Sequence, residues 1–194
     1  MSTWVFATNN NHKLEEARSI LPDRLRILSL KEVGFGREVD ETASTFAGNA
    51  ELKARAVFEE VGKPCFADDS GLCVNALNLE PGVRSARYSG ENGPVDHLQN
   101  NLKLLKNLDH TEDRSAYFIT VICLIDSEGK TSFYEGRVLG EIAREMKGGQ
   151  GFGYDPLFVP QGYHQTFAEL GEVVKNTLSH RSVALRKMLE DIGL

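Results

Sequence analysis

Four short segments join charged or hydrogen-bonding side chains at spacings that chemistry can use. In Thr8-Asn9-Asn10-Asn11-His12-Lys13 an apolar run ends, small polar side chains follow, and a lysine sits just inside a helical pattern. Such a loop can turn backbone N–H groups, the positive end of a helix and a full charge toward one phosphate. The alternative is that Asn9 or Asn10 merely caps the helix and Lys13 is solvated, although a lysine in the first turn opposes the helix dipole. Acidic groups form the second set: Glu41 ahead of a long helical pattern, and Asp68 and Asp69 between apolar stretches. Hard oxygen ligands of this kind suit Mg²⁺ or Mn²⁺, above all where substrate phosphates complete the shell. Taken singly, the same residues read as turn formers and a helix-dipole partner.

The third segment, Gly148-Gly149-Gln150-Gly151-Phe152-Gly153-Tyr154-Asp155-Pro156, allows close backbone approach and offers aromatic faces and an acceptor, as a base-binding loop needs. Its spacing is not G-x-G-x-x-G, so a Rossmann phosphate loop is excluded, while a hairpin connection with a core Phe stays open. Lys175, Asn176, Ser179, His180 and Arg181 form the fourth set, with donors suited to phosphate oxygens or a carbonyl. A capped, solvent-facing helix end is the plainer reading. No P-loop pattern occurs, Ser70 lies in D-D-S-G-L rather than G-x-S-x-G, and H-E-x-x-H is absent. Serine-nucleophile and zinc hydrolysis therefore have no support.

Local patterns say what must hold these segments. Trp4 to Ala7 reads as a buried strand, followed by a helix from His12 to Leu21. Apolar residues at helical spacing predict a helix over Thr45 to Val61, stopped by Gly62 and Pro64. Cys65 to Ala67 and Leu72 to Leu77 read as short strands flanking a polar turn, Asp68 to Gly71. Pro94 to Leu108 is amphipathic, and Arg114 to Asp126 with Thr131 to Ala143 reads as a long hairpin. A strand at Leu157 to Val159 and one helix from about Asn176 to Ile192 close the chain. The sum is an α/β protein with a mixed sheet.

The chain has 194 residues, 41% of them hydrophobic, enough for one domain with its own core. Its net charge is −6, from 22 basic and 28 acidic residues, which argues against nucleic acid or a membrane surface as partner. Three cysteines without a C-x-x-C read as reduced thiols, and no long apolar run suggests a span, so a cytoplasmic protein is expected.

Together the segments resemble the inosine triphosphate pyrophosphatase family. The matching pieces are T-x-N-x-x-K at Thr8 to Lys13, E-x-x-x-T-F-x-x-N-A-x-x-K-A at Glu41 to Ala54 and A-D-D-S-G-L at Ala67 to Leu72. P-G-x-x-S-A-R-Y-S-G at Pro81 to Gly90, G-F-G-Y-D-P at Gly151 to Pro156 and K-N-x-x-S-H-R at Lys175 to Arg181 complete the set. Ala43, Gln150 and Val173 depart from the usual pattern. The resemblance implies a single two-lobed domain over 1–194 with a central cleft, usually homodimeric. It also implies Mg²⁺-dependent cleavage of non-standard purine nucleoside triphosphates (ITP, dITP, XTP) to the monophosphate and pyrophosphate. By the same resemblance, the 8–13 loop and Lys53 would hold the triphosphate. Glu41 and Asp69 would hold the metal, Asp69 would act as base, and Ser70 would meet a phosphate or ribose oxygen. Phe152, Gly153, Tyr154 and Asp155, with Lys175, His180 and Arg181, would meet the base and its neighbours. A related pyrophosphatase for pyrimidine or modified nucleotides, and a nucleotide-binding regulator without turnover, are the alternatives.

Overall fold

The computed structural model describes residues 2–90 and 94–194. Its elements are β1 (Ser2–Phe6), α1 (Asn11–Ile20), β2 (Leu25–Leu28), α2 (Phe46–Val61), β3 (Cys65–Val74), α3 (His97–Asn107), β4 (Ser115–Ile125), β5 (Thr131–Ile142), β6 (Phe158–Pro160), α4 (Phe167–Leu178) and α5 (His180–Asp191). One six-stranded sheet has the order β2-β1-β3-β4-β5-β6, with β1 parallel to β2 and β3 and β6 antiparallel to β5. The mixed α/β sheet expected from sequence is therefore the fold. Among the described residues no helix is long and apolar enough to cross a membrane.

Local chemistry explains the helices nearest the candidate site. Asn10 caps α1 by accepting from the Lys13 N–H, and Thr45 caps α2 by accepting from Gly48 N–H. Gly62, at φ 65°, ends α2 in the left-handed conformation that glycine adopts without a Cβ clash, and donates to Phe58 O.

Two expectations differ from the structure. Asp68 to Gly71 is not a turn: β3 runs unbroken from Cys65 to Val74 with both aspartates buried. Their polarity is met by cations from elsewhere in the chain, so the segment has no need of solvent. The C-terminal segment is not one helix, since Ser179, extended at φ −63° and ψ 154°, separates α4 from α5. Helix α4 was announced by the capping box of Thr166 and Glu169, and is itself interrupted at Gly171. Lys175 accordingly lies in the last turn of α4 rather than at a helix start. Strand β2 was not anticipated; four residues of alternating burial carry too short a pattern.

Backbone packing divides the chain into two compact units, one of Met1–Asp69, Thr120–Gly136 and Arg181–Leu194, the other of Ser70–Ile119 and Arg137–His180. In the first, strand alternation sends Phe6, Phe66, Ile122 and Leu124 into a cluster with Leu14 and Ala17 of α1 and Leu185 and Met188 of α5. Their neighbours Val5, Cys65, Ala67, Cys123 and Ile125 join Ala50, Ala54 and Val57 of α2. The second unit buries Leu72, Val74, Phe118, Ile142 and Phe158 with Leu104 of α3, Leu108 at its C-cap and Phe167 of α4. All three cysteines are free and buried, and burial pushes the Cys65 and Cys123 thiols up to about 12.

Phe66 is fully buried and stacks on Phe6 with ring centroids 4.5 Å apart. Phe66→Ala should cost about 3–5 kcal/mol in urea unfolding with an unchanged m-value; a loss below about 1 kcal/mol would mean that this stack does not anchor the first unit.

Candidate active site

The loop entering α1 is built by its own side chains. Thr8 Oγ1 accepts from Asn10 N–H at 3.1 Å and Asn10 Oδ1 from Lys13 N–H at 3.2 Å, while Asn9, Asn11 and His12 are exposed. The Lys13 side chain is not solvated: it is 16% exposed, and its Nζ donates to Asp68 Oδ1 at 3.1 Å. That carboxylate is what allows a lysine beside a helix N-terminus. Burial lowers the Lys13 pKa despite Asp68, and Lys53 and Arg181 add to the effect.

Pleating separates Asp68 from Asp69. Asp68 follows Phe66 onto the side of α1 and α5, where Arg181 Nε donates to its Oδ2 at 3.0 Å. The Arg181 guanidinium also donates to Glu16, a buried acid of α1 that sequence reading had not singled out. Burial alone would raise the Asp68 pKa, but Lys13, Arg181 and Lys53 together hold it well below the carboxylate range. Arg181, which the resemblance places near the base, is in this structure paired with Asp68 and Glu16.

Asp69 follows Cys65 and Ala67 onto the side of α2. Its Oδ2 accepts from Asn49 Nδ2 at 3.1 Å, and its Oδ1 lies 3.7 Å from Lys53 Nζ, which also donates to Glu41 Oε1. Asn49 Oδ1 accepts from Ala43 N–H at 2.9 Å, so one buried amide ties the segment carrying Glu41 to the carboxylate it must approach. A Cβ at Gly48 would lie 2.6 Å from the Ala43 methyl; the missing side chain makes room for the alanine. For Asp69 the balance differs from Asp68: burial raises the pKa more than Lys53 and Lys13 lower it, and Glu41 raises it further. Burial would lower the Lys53 pKa, but Asp69, Asp68 and Glu41 raise it.

Glu41 and Asp69 therefore converge on one ammonium group. A pair of carboxylates is the kind of oxygen donor set that suits Mg²⁺, which retains waters and shares phosphate ligands. Among the described residues no group of three or more His, Cys, Asp or Glu could hold a metal by itself.

The glycine loop belongs to the second unit. Asp155 Oδ2 accepts from Phe152 N–H at 2.8 Å and from Lys175 Nζ at 2.6 Å, and Lys175 Nζ lies 4.2 Å from the Phe152 ring centroid. Gly151, at φ +81°, is required here, because a Cβ would fall 2.2 Å from Asp155 Oδ2. Tyr154 turns inward: its phenol donates to Ser85 O at 2.8 Å and burial raises its pKa. It holds the loop rather than offering a stacking face. His180 is buried and stacks on Phe118, with centroids 4.8 Å apart and planes 11° apart. Ser70 is partly exposed.

The fold is an α/β mixed sheet, in which the first unit carries a lysine–carboxylate cluster and the second a glycine loop braced by a buried ion pair. The chain belongs to the Ham1 family, whose profile matches residues 4–191. It is 50% identical to a dITP/XTP pyrophosphatase of Porphyromonas gingivalis, over 97% of this chain and 96% of that protein. A dITP/XTP pyrophosphatase of Flavobacterium johnsoniae is 47% identical over 96% and 95%. The solved Staphylococcus aureus Ham1 protein superposes with a TM-score of 0.89 at 40% identity, covering 99% of this chain and 98% of its own.

The two aspartates should respond oppositely to the same change. Asp68→Asn strands the buried Lys13 and Arg181 charges and should cost about 3–5 kcal/mol in urea unfolding. Asp69→Asn removes a charge that burial disfavours and should stay within about 1 kcal/mol of the unmodified protein. Equal losses would contradict this division.

Proposed function

We propose that this chain hydrolyses non-standard purine nucleoside triphosphates such as dITP and XTP to the monophosphate and pyrophosphate, with Mg²⁺ as cofactor and Mn²⁺ as a substitute. The observation that carries the reading is Asp69: a buried carboxylate that accepts from Asn49 and lies beside the Lys53 ammonium that Glu41 also meets, in a chain 50% identical to a dITP/XTP pyrophosphatase.

Lys13 and Lys53 bind phosphate oxygens, and the α1 loop directs its N–H groups at the same charge. Glu41 and Asp69 would hold the metal, which would neutralise phosphate charge and acidify water. Asp69 accepts the proton of the attacking water. An ordinary aspartate, with a pKa of about 3.9, is a weak base near neutrality, so it would serve only where the metal also acidifies the attacking water. Attack between the α and β phosphates leaves pyrophosphate as the departing group. Ser70 meets a phosphate or ribose oxygen. Phe152 stacks on the base, with Gly153, Tyr154 and Asp155 shaping its pocket, while Lys175, His180 and backbone N–H groups supply donors to a 6-oxo purine.

The free buried thiols suit a reducing cytoplasm, and the resemblance carries the homodimer. A net charge of −6 supports a small-molecule partner rather than nucleic acid or membrane.

Asp69→Asn should abolish pyrophosphate release at saturating Mg²⁺ while its circular dichroism stays that of the unmodified protein. Near-normal turnover would remove Asp69 as base. Glu41→Gln should raise the Mg²⁺ concentration at half-maximal rate, and an unchanged titration would strike it from the ligands. Lys53→Ala should weaken triphosphate binding roughly ten- to a hundredfold in calorimetry without an equal loss for the nucleoside.

Selectivity follows from the base edge. A donor aimed at a 6-oxo group faces another donor when adenine enters, and sites of that kind reject such analogues by about 10⁴. In a nucleotide panel with product identification, kcat/KM for ATP should fall below that for dITP and XTP by about this factor; comparable values would refute the base assignment.

A further inference from the structure

Helix α3 carries two consecutive buried amides, Asn100 and Asn101, on a stretch whose neighbours Leu98, Gln99, Leu102 and Lys103 are exposed. Asn100 is satisfied at both ends of its side chain: Oδ1 accepts from Ser89 N–H at 2.7 Å, and Nδ2 donates to Ala86 O at 2.9 Å and Ser85 O at 3.4 Å. Asn101 is used at one end only. Its Nδ2 donates at 2.8 Å to His97 O in its own helix and at 2.8 Å to Gly153 O in the glycine loop. Its Oδ1 is buried and has no hydrogen-bond partner among the described residues. Reversing the amide would set that oxygen against two carbonyls, so the orientation is dictated by the network.

An orphaned oxygen is a cost that leucine would avoid at this position. What leucine could not supply is the bond to Gly153 O. Gly153 sits at φ +64° between Phe152 and Tyr154, where the backbone has the most freedom to rotate. The Tyr154 phenol is anchored on Ser85 O, the carbonyl that Asn100 also approaches. Both anchors of the loop's central residues therefore lead back to α3, and the third is the Asp155–Lys175 pair on which the Phe152 ring rests.

We propose that Asn101 is a positioning residue for base selection: by holding the Gly153 carbonyl it sets the Phe152 ring and the Lys175 ammonium at the spacing that discriminates among purines. The inference rests on the assignment of the Phe152 to Asp155 loop to the base. Its structural half stands apart from that assignment, because the bond to Gly153 is a property of the chain alone.

The test compares the unmodified protein with Asn101→Leu, Asn101→Asp and a destabilised control at the C-cap of the same helix, Leu108→Ala. Pyrophosphate release from dITP, XTP and dATP is measured alongside melting temperature and amide hydrogen exchange at residues 152–155. Asn101→Leu should keep the melting temperature or raise it, yet increase KM for dITP and XTP about tenfold, with kcat within about twofold. The dITP-to-dATP ratio of kcat/KM should narrow about tenfold, and amide exchange at 152–155 should accelerate. Asn101→Asp, which turns a carboxylate oxygen toward two carbonyls, should show the same kinetic change. Leu108→Ala should lower the melting temperature and leave KM and the ratio unmoved. Unchanged KM, ratio and exchange in both Asn101 variants would overturn the proposal, as would the same kinetic shift in Leu108→Ala. If the unmodified protein released no pyrophosphate from any of the three nucleotides, the base assignment would fail and base selection with it; exchange at 152–155 would still decide the positioning role.

Discussion

Two neighbouring carboxylates lie below the surface of one strand, and the pleat of β3 sends them to opposite faces. Each meets a different helix and a different set of cations: Asp68 meets Lys13 of α1 and Arg181 of α5, Asp69 meets Lys53 of α2. Much of the first unit's polar structure follows from that separation. A turn at the same place would have released both acids to water, where neither the ion network nor a tuned carboxylate could form.

The outcomes differ because the cations are placed differently. Asp68 is matched by direct contacts with two cations, one of which Glu16 secures from behind, so its charge is held in place. Buried ion pairs of this kind add little net stability against an apolar replacement, but losing one member is costly, and this makes the arrangement specific. Asp69 has the Lys53 ammonium at 3.7 Å, an amide from Asn49 and the like charge of Glu41 nearby, so burial prevails over Lys53 and Lys13 and the carboxyl binds protons more readily. One acid is held ionised by the lysine and arginine, and the other has its pKa raised by burial.

The second unit solves a related problem with less charge. A single buried pair, Lys175 with Asp155, braces a loop whose glycine at 151 is required by the Asp155 carboxylate itself. The same carboxylate oxygen accepts the Phe152 N–H, so the ring, the ammonium and the backbone are fixed by one acceptor. Amides on α3 hold the remainder. Polar groups in this loop are thus spent first on each other, which is how a glycine-rich segment keeps one conformation.

Elements whose signals are local could be read from the residues alone. Asn10 before α1, Thr45 and Gly62 around α2, and the apolar runs of β4 and β5 declare themselves within a few residues, because capping and periodicity act over one helical turn or one strand repeat. The residue types of the candidate site were legible in the same way, as was the mixed sheet. Tertiary structure alone decided that Asp68 to Gly71 continues a strand, since the cations that make burial tolerable lie 55 and 113 residues away in the chain. It also decided that Arg181 joins Asp68 and Glu16, that Tyr154 faces inward, and that Asn101 reaches Gly153 across 52 residues. Local propensity reports what a segment prefers in water; a buried charge or amide is settled by which partner the fold brings to it.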